Sequence, residues 1–121
     1  MDYFQYQNGE LYASDVPIRE ITEAVGTPFY CYSCESLEYQ YKLFSDALHG
    51  LDAQVFFAVK ANSNISVIAT LARLGAGADV VSIGELKRAI VSGVEASKIV
   101  FSGVGKTQEE MAYAIKAGVL Q

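Results

Sequence analysis

Short apolar runs alternate with amphipathic stretches that close on glycine, and this rhythm constrains the fold of the chain more than any other feature. Val55 to Val59 is a run rich in β-branched and aromatic residues, the signature of a strand buried on both faces in a parallel sheet. Asn64 or Ser63 caps a helix over Ile65 to Leu74 that ends at Gly75. Ala78 to Val81 reads as a second strand, Gly84 to Val91 as a helix stopped by Gly93, and Ile99 to Ser102 as a third strand. Thr107 with Glu110 three residues on is a capping box that opens a helix closed by Gly118, after which Val119 and Leu120 begin a fourth strand. Upstream, Thr27 to Tyr32 is extended, and Ser33 caps a helix over Glu35 to Leu48 with Gly50 as its stop.

Repeated βα units joined by right-handed crossovers make a parallel sheet or barrel. The expected class is therefore α/β, with three complete units and the start of a fourth: the N-terminal portion of a (β/α)8 barrel truncated in its fourth strand. Residues 28–121 form that partial barrel domain. Residues 1–27 differ, with Phe4 to Gln7, the turn pair Asn8-Gly9 and Glu10 to Tyr12 predicting a hairpin. A short helix from about Pro17 to Ala24 follows, with Asp15 as its expected cap.

A hydrophobic content of 51% with 19% charged residues is that of a globular protein, which argues against disorder. No stretch approaches the roughly 18 apolar residues of a membrane span, and the polar, acidic start is unlike a secretory signal. The expected location is the cytoplasm. A net charge of −5 with nine scattered basic residues offers no footprint for nucleic acid or an anionic membrane. Small-molecule chemistry or protein partners remain.

Lys60 interrupts the first barrel strand, and an ammonium there needs a reason. Burying it is costly unless it is paired or loses its proton, and a lysine of that kind forms Schiff bases with aldehydes. On spacing alone, a strand-end lysine that snorkels to water is the favoured reading, and the residues that follow the strand shift the balance. Period-two alternation sets Ala58 on the side of Lys60, with Phe57 and Val59 facing away, and a small side chain there leaves room for a planar ring. Asp79 is the one carboxylate in a buried-looking run. Glu85 reads as an early-helix acid favoured by the helix dipole.

Other patterns point away from chemistry. Gly103-Val104-Gly105-Lys106-Thr107 suggests a phosphate loop, but that motif needs a glycine where Val100 stands, so Lys106 and Thr107 read as loop and cap. Cys31 and Cys34 have the spacing of a zinc or redox half-site without further ligands, and His49 lies far off beside Gly50 at a helix end. Leu37, Tyr39, Tyr41 and Phe44 make an amphipathic helix face.

Phe57-Ala58-Val59-Lys60-Ala61-Asn62-Ser63-Asn64 resembles the cofactor-lysine motif of the diaminopimelate decarboxylases, a pyridoxal-phosphate family with an alanine-racemase-like barrel. Gly75 to Leu86 and Lys98 to Thr107 resemble that family's second and third strand regions in the same order, and Gly26 to Tyr30 also fits. Ala78 departs from the pattern, where many relatives carry an aromatic residue, and this affects local packing. The resemblance covers essentially the whole chain. It implies that Lys60 holds pyridoxal 5'-phosphate as a Schiff base and that Asp79 lies near the lysine and the cofactor, with Ala58 joining them as a cofactor-side residue through the alternation. Apart from the resemblance, Asp79 reads equally as a barrel-interior acid that pairs with Lys60 and only holds it. The implied reaction is decarboxylation of meso-2,6-diaminopimelate to L-lysine in lysine biosynthesis. By the same resemblance, the remaining cofactor and substrate contacts come from later strands and from a C-terminal β-domain of a homodimer partner, outside these residues.

Three other readings stay open on the sequence. One is a same-fold decarboxylase of ornithine, arginine or carboxynorspermidine, and another a non-catalytic pyridoxal-phosphate-binding protein. The last is an interaction module in which Lys60 is incidental.

Overall fold

The computed structural model describes residues 2–121. The chain opens with an antiparallel sheet of β1 (Phe4–Gln7), β2 (Glu10–Ala13) and β3 (Val16–Pro17). Gln7 pairs with Glu10 across Asn8 and Gly9, whose φ values of +52° and +84° are those of the two-residue hairpin turn that favours Asn-Gly. Helix α1 (Ile18–Val25) then starts directly behind Pro17, which supplies no side-chain cap. The expectation that Asp15 caps α1 is therefore corrected: Val16 pairs with Ala13, which places Asp15 in the turn between β2 and β3.

Thr27 to Tyr32 forms no strand pairing, although the Tyr30 and Tyr32 rings stack 6.5 Å apart at 14°, as side chains two residues apart on extended chain do. Helix α2 (Cys34–Ala47) follows, and the Ser33 hydroxyl accepts the Ser36 N–H at 3.1 Å.

The second sheet is parallel, in the order β4 (Phe56–Ala58), β5 (Gly77–Val80), β6 (Ile99–Phe101). Helices α3 (Ile65–Arg73) and α4 (Ile83–Val91) make the crossovers, and α5 (Gln108–Ala117) follows β6. Each helix start has a side-chain acceptor: Asn64 for α3, Ser82 for α4, and the full Thr107–Glu110 capping box for α5. The strands stop one residue or more short of the sequence expectation, because the chain turns towards the next cap. Val119–Gln121 runs along the free edge of β6, where the Leu120 N–H donates to the Ile99 carbonyl at 2.9 Å and the Phe101 N–H to the Gln121 carbonyl at 2.7 Å.

The core lies between this sheet and its helices. Val59, Ala78, Val80, Ile99 and Phe101 from the sheet side meet Ile68 of α3, Leu86 and Ala89 of α4, and Ala114 of α5, with Phe57 packed against them. Register puts Phe57, Ala78 and Ile99 in one row across the helix-facing side. The next row, Ala58, Asp79 and Val100, therefore lies on the opposite face, and all three are half-buried there. A strand buried on both faces was expected for β4; its face away from the helices is instead open.

Candidate active site

The C-terminal ends of β4, β5 and β6 and the loops beyond them carry the candidate residues, which is where parallel α/β sheets concentrate their chemistry. After Ala58 the backbone leaves the strand and enters a 3₁₀ turn over Val59–Ala61. Val59 fills the core with no exposed surface, while Lys60 is exposed. The turn is held from several sides. The Asn62 N–H donates to the Val59 carbonyl at 3.1 Å, and the Asn62 side chain accepts the Asn64 N–H at 3.0 Å. Arg88 of α4 reaches back to the Ser63 carbonyl at 3.2 Å. A flexible lysine is thus carried on a stiff turn.

Lys60 forms no ion pair or hydrogen bond among the described residues. Asp79 makes no ion pair with it. The partner of Asp79 is Ser102, whose hydroxyl donates to Oδ1 at 2.5 Å. Ala58 neighbours Asp79 in the register, as one small side chain beside a carboxylate. The alternation drawn from Ala58 to Lys60 stops at the 3₁₀ turn, yet its other half holds: Phe57 and Val59 both pack on the helix side.

The remaining sequence candidates have local roles. Glu85 accepts the Val81 N–H at 2.9 Å, which fixes the entry to α4. Lys106 donates to the carbonyls of Phe101 at 3.1 Å and Gly103 at 2.5 Å and lies over the Phe101 ring at 5.0 Å, which folds the loop after β6. Cys31 and Cys34 are both free, with the Cys34 sulfur 3.9 Å from the Thr70 hydroxyl, and His49 is exposed. Among the described residues no group of three or more metal-ligating side chains gathers, and no helix is long and apolar enough to cross a membrane. Ser102 and Arg88 are the residues that sequence reasoning missed. Ser102 was within reach of period-two counting, two residues after Val100 on the Asp79 face; Arg88 was not, because its partner is a backbone carbonyl 25 residues away.

A primary amine without a partner among the described residues, just past the C-terminal end of a parallel strand, is the group with which an aldehyde cofactor forms a Schiff base. The family model described as pyridoxal-dependent decarboxylase, pyridoxal binding domain, matches residues 34–121. The chain belongs to this family. A diaminopimelate decarboxylase of Pseudomonas fluorescens is 56% identical over 98% of the chain, which spans 29% of the length of that relative. Among solved structures, AQ1208 from Aquifex aeolicus superposes with a TM-score of 0.90 at 39% identity, covering 98% of this chain and 29% of that one. The diaminopimelate decarboxylase of Helicobacter pylori complexed with L-lysine has a TM-score of 0.81 at 40% identity over 85% of this chain and 26% of its own. The parallel sheet and its helices are the N-terminal part of the alanine-racemase-like barrel of this pyridoxal-dependent family.

The cofactor of the family is pyridoxal 5'-phosphate. The residues present fit its aldehyde end: Lys60 offers a primary amine, Ala58 presents little bulk, and Asp79 supplies a carboxylate to an otherwise apolar row.

Proposed function

We propose that the protein carrying this chain is a carboxy-lyase that converts meso-2,6-diaminopimelate to L-lysine, the product step of lysine biosynthesis, with Lys60 as the residue that holds its pyridoxal phosphate. The observation that carries the proposal is the unpaired Lys60 amine on a braced turn at the sheet's C-terminal end, in a chain 56% identical to a diaminopimelate decarboxylase. When bound, pyridoxal phosphate supplies a ring that accepts the electron pair left on Cα as carbon dioxide departs.

The chain's own residues do the positioning. Lys60 would hold the cofactor through the aldehyde, by its side-chain amine. Ala58 leaves clearance for the ring, and Asp79 places negative charge on the same face. In this reading residues 1–27 lead into a barrel domain from residue 28 onward, and the working protein is a cytoplasmic homodimer that binds neither nucleic acid nor membrane. That the Helicobacter relative is complexed with L-lysine supports an amino-acid ligand.

The test is a substrate panel with the full-length protein and pyridoxal phosphate. Release of carbon dioxide with formation of L-lysine from meso-diaminopimelate, and little turnover of ornithine or arginine, is the expected result. Preferred turnover of ornithine or arginine would overturn the assignment of substrate.

A further inference from the structure

Asp79 stands in a row whose other members, Ala58 and Val100, have no side-chain group able to hold a carboxylate. A carboxylate on an open sheet face turns freely about its last torsion unless a donor selects one orientation. Ser102 is that donor: it continues β6, two residues beyond Val100 and hence on the same face, and its hydroxyl donates to Asp79 Oδ1 at 2.5 Å. Oδ2 makes no hydrogen bond among the described residues and remains available to a ligand.

Ser102 is itself fixed from both sides. The Phe101 N–H before it is bound to the Gln121 carbonyl at 2.7 Å. The Lys106 ammonium grips the carbonyls of Phe101 and Gly103, the residues that flank Ser102. Gly103 then turns the chain away at a φ of +93°, where a Cβ would lie 3.3 Å from the Val81 side chain and carbonyl. The Gly103 to Thr107 stretch, which as a sequence imitates a phosphate loop, is a backbone clamp behind one hydroxyl.

We propose that Ser102 is a positioning residue that fixes the Asp79 carboxylate on the cofactor face of the sheet, with Lys106 bracing the segment that carries it. The proposal rests on the reading of Lys60 as the cofactor lysine, and the two are separable by experiment.

The experiment titrates the cofactor-free full-length protein with pyridoxal phosphate and follows the absorbance of the Lys60-linked form. It compares wild type, Ser102→Ala, Ser102→Thr, Asp79→Ala and the Ser102→Ala/Asp79→Ala double variant, with thermal melts to check folding. A hydrogen bond to a charged group is worth enough that Ser102→Ala should weaken cofactor binding about tenfold. Ser102→Thr, which keeps the hydroxyl, should stay within about threefold of wild type, and adding Ser102→Ala to Asp79→Ala should change affinity less than about twofold. A loaded wild type with a silent Ser102→Ala would overturn the proposal alone, as would an equal loss from Ser102→Ala with and without Asp79. If Ser102→Thr does not fold, the double-variant comparison decides by itself. A wild type that forms no cofactor-linked Lys60 would overturn the parent reading and this one with it.

Discussion

At the scale of single residues, Gly77 shows how tightly the sheet is built. A Cβ there would lie 2.6 Å from Cδ1 of Phe56 and 2.7 Å from the backbone carbonyl of Lys98, and neither contact is tolerable. The phenyl ring has some freedom to swing, but the carbonyl belongs to the turn that starts β6. Gly77→Ala is therefore expected to destabilise the protein by about 1–3 kcal/mol, the usual cost of overpacking, and to lower its thermal midpoint. An unchanged midpoint would mean that the β4–β5 contact is looser than described. Lys60 drew attention in the sequence because a cation in an apolar run is conspicuous and because the residues around it form a recognisable string; the structure puts it, exposed, in the turn after β4. The Asp79–Ser102 bond was not, since the two residues are 23 positions apart and only the strand register makes them neighbours. Asp79 was expected near the lysine and cofactor, with pairing to Lys60 as the plainer alternative; the hydrogen-bond partner found is Ser102.

Helix caps were the most readable elements, because a cap is a local bargain between a side chain and backbone a few residues away. Thr107 and Glu110 form both halves of their box, with the Glu110 carboxylate on the Thr107 N–H at 2.8 Å and the Thr107 hydroxyl on the Glu110 N–H at 3.2 Å. Thr107→Ala should cost about 1 kcal/mol, measurable as faster amide exchange in the first turn of α5. The Thr107 N–H, and further the Ile83 N–H, hold the Glu110 carboxyl below its ordinary value of 4.5. A depressed carboxyl contributes stability above its unfolded value and loses it as pH falls through the folded one. Protection of α5 should therefore be constant above about pH 5 and decline on acidification below 4.5, and Glu110→Gln should remove that decline. A decline that persists in Glu110→Gln would assign it to another group. Elements that depend on distant partners were harder to read. Asp15 looked like a cap until Val16 paired with Ala13, and the amphipathic face of α2 was recognised although α2 contains no fully buried residue, with Phe44 59% exposed.

At the scale of the whole molecule, exposed area governs how the chain behaves. An accessible surface of 8005 Å² for 13.1 kDa exceeds the roughly 6,400 Å² of a compact monomer of that mass. Two apolar grooves flank the parallel sheet, one between α2 and β4 lined by Leu37, Tyr41, Phe44 and Phe56, and another beside β6 lined by Met111, Ile115 and Val119. Apolar surface of this kind drives association. The isolated 121-residue chain should therefore self-associate in sedimentation, and a monodisperse, well-folded monomer would contradict that expectation. The βα order was legible because each strand and helix carries its own period and its own stop. Which sheet faces would be covered was not, because covering is a property of the assembled barrel. Whether this sheet presents Lys60 to pyridoxal phosphate can be read by borohydride reduction of the full-length protein loaded with the cofactor, followed by peptide mass mapping. A single reduced adduct should form on Lys60 and vanish in Lys60→Ala; an adduct on another lysine, or none, would mean that Lys60 does not hold the cofactor.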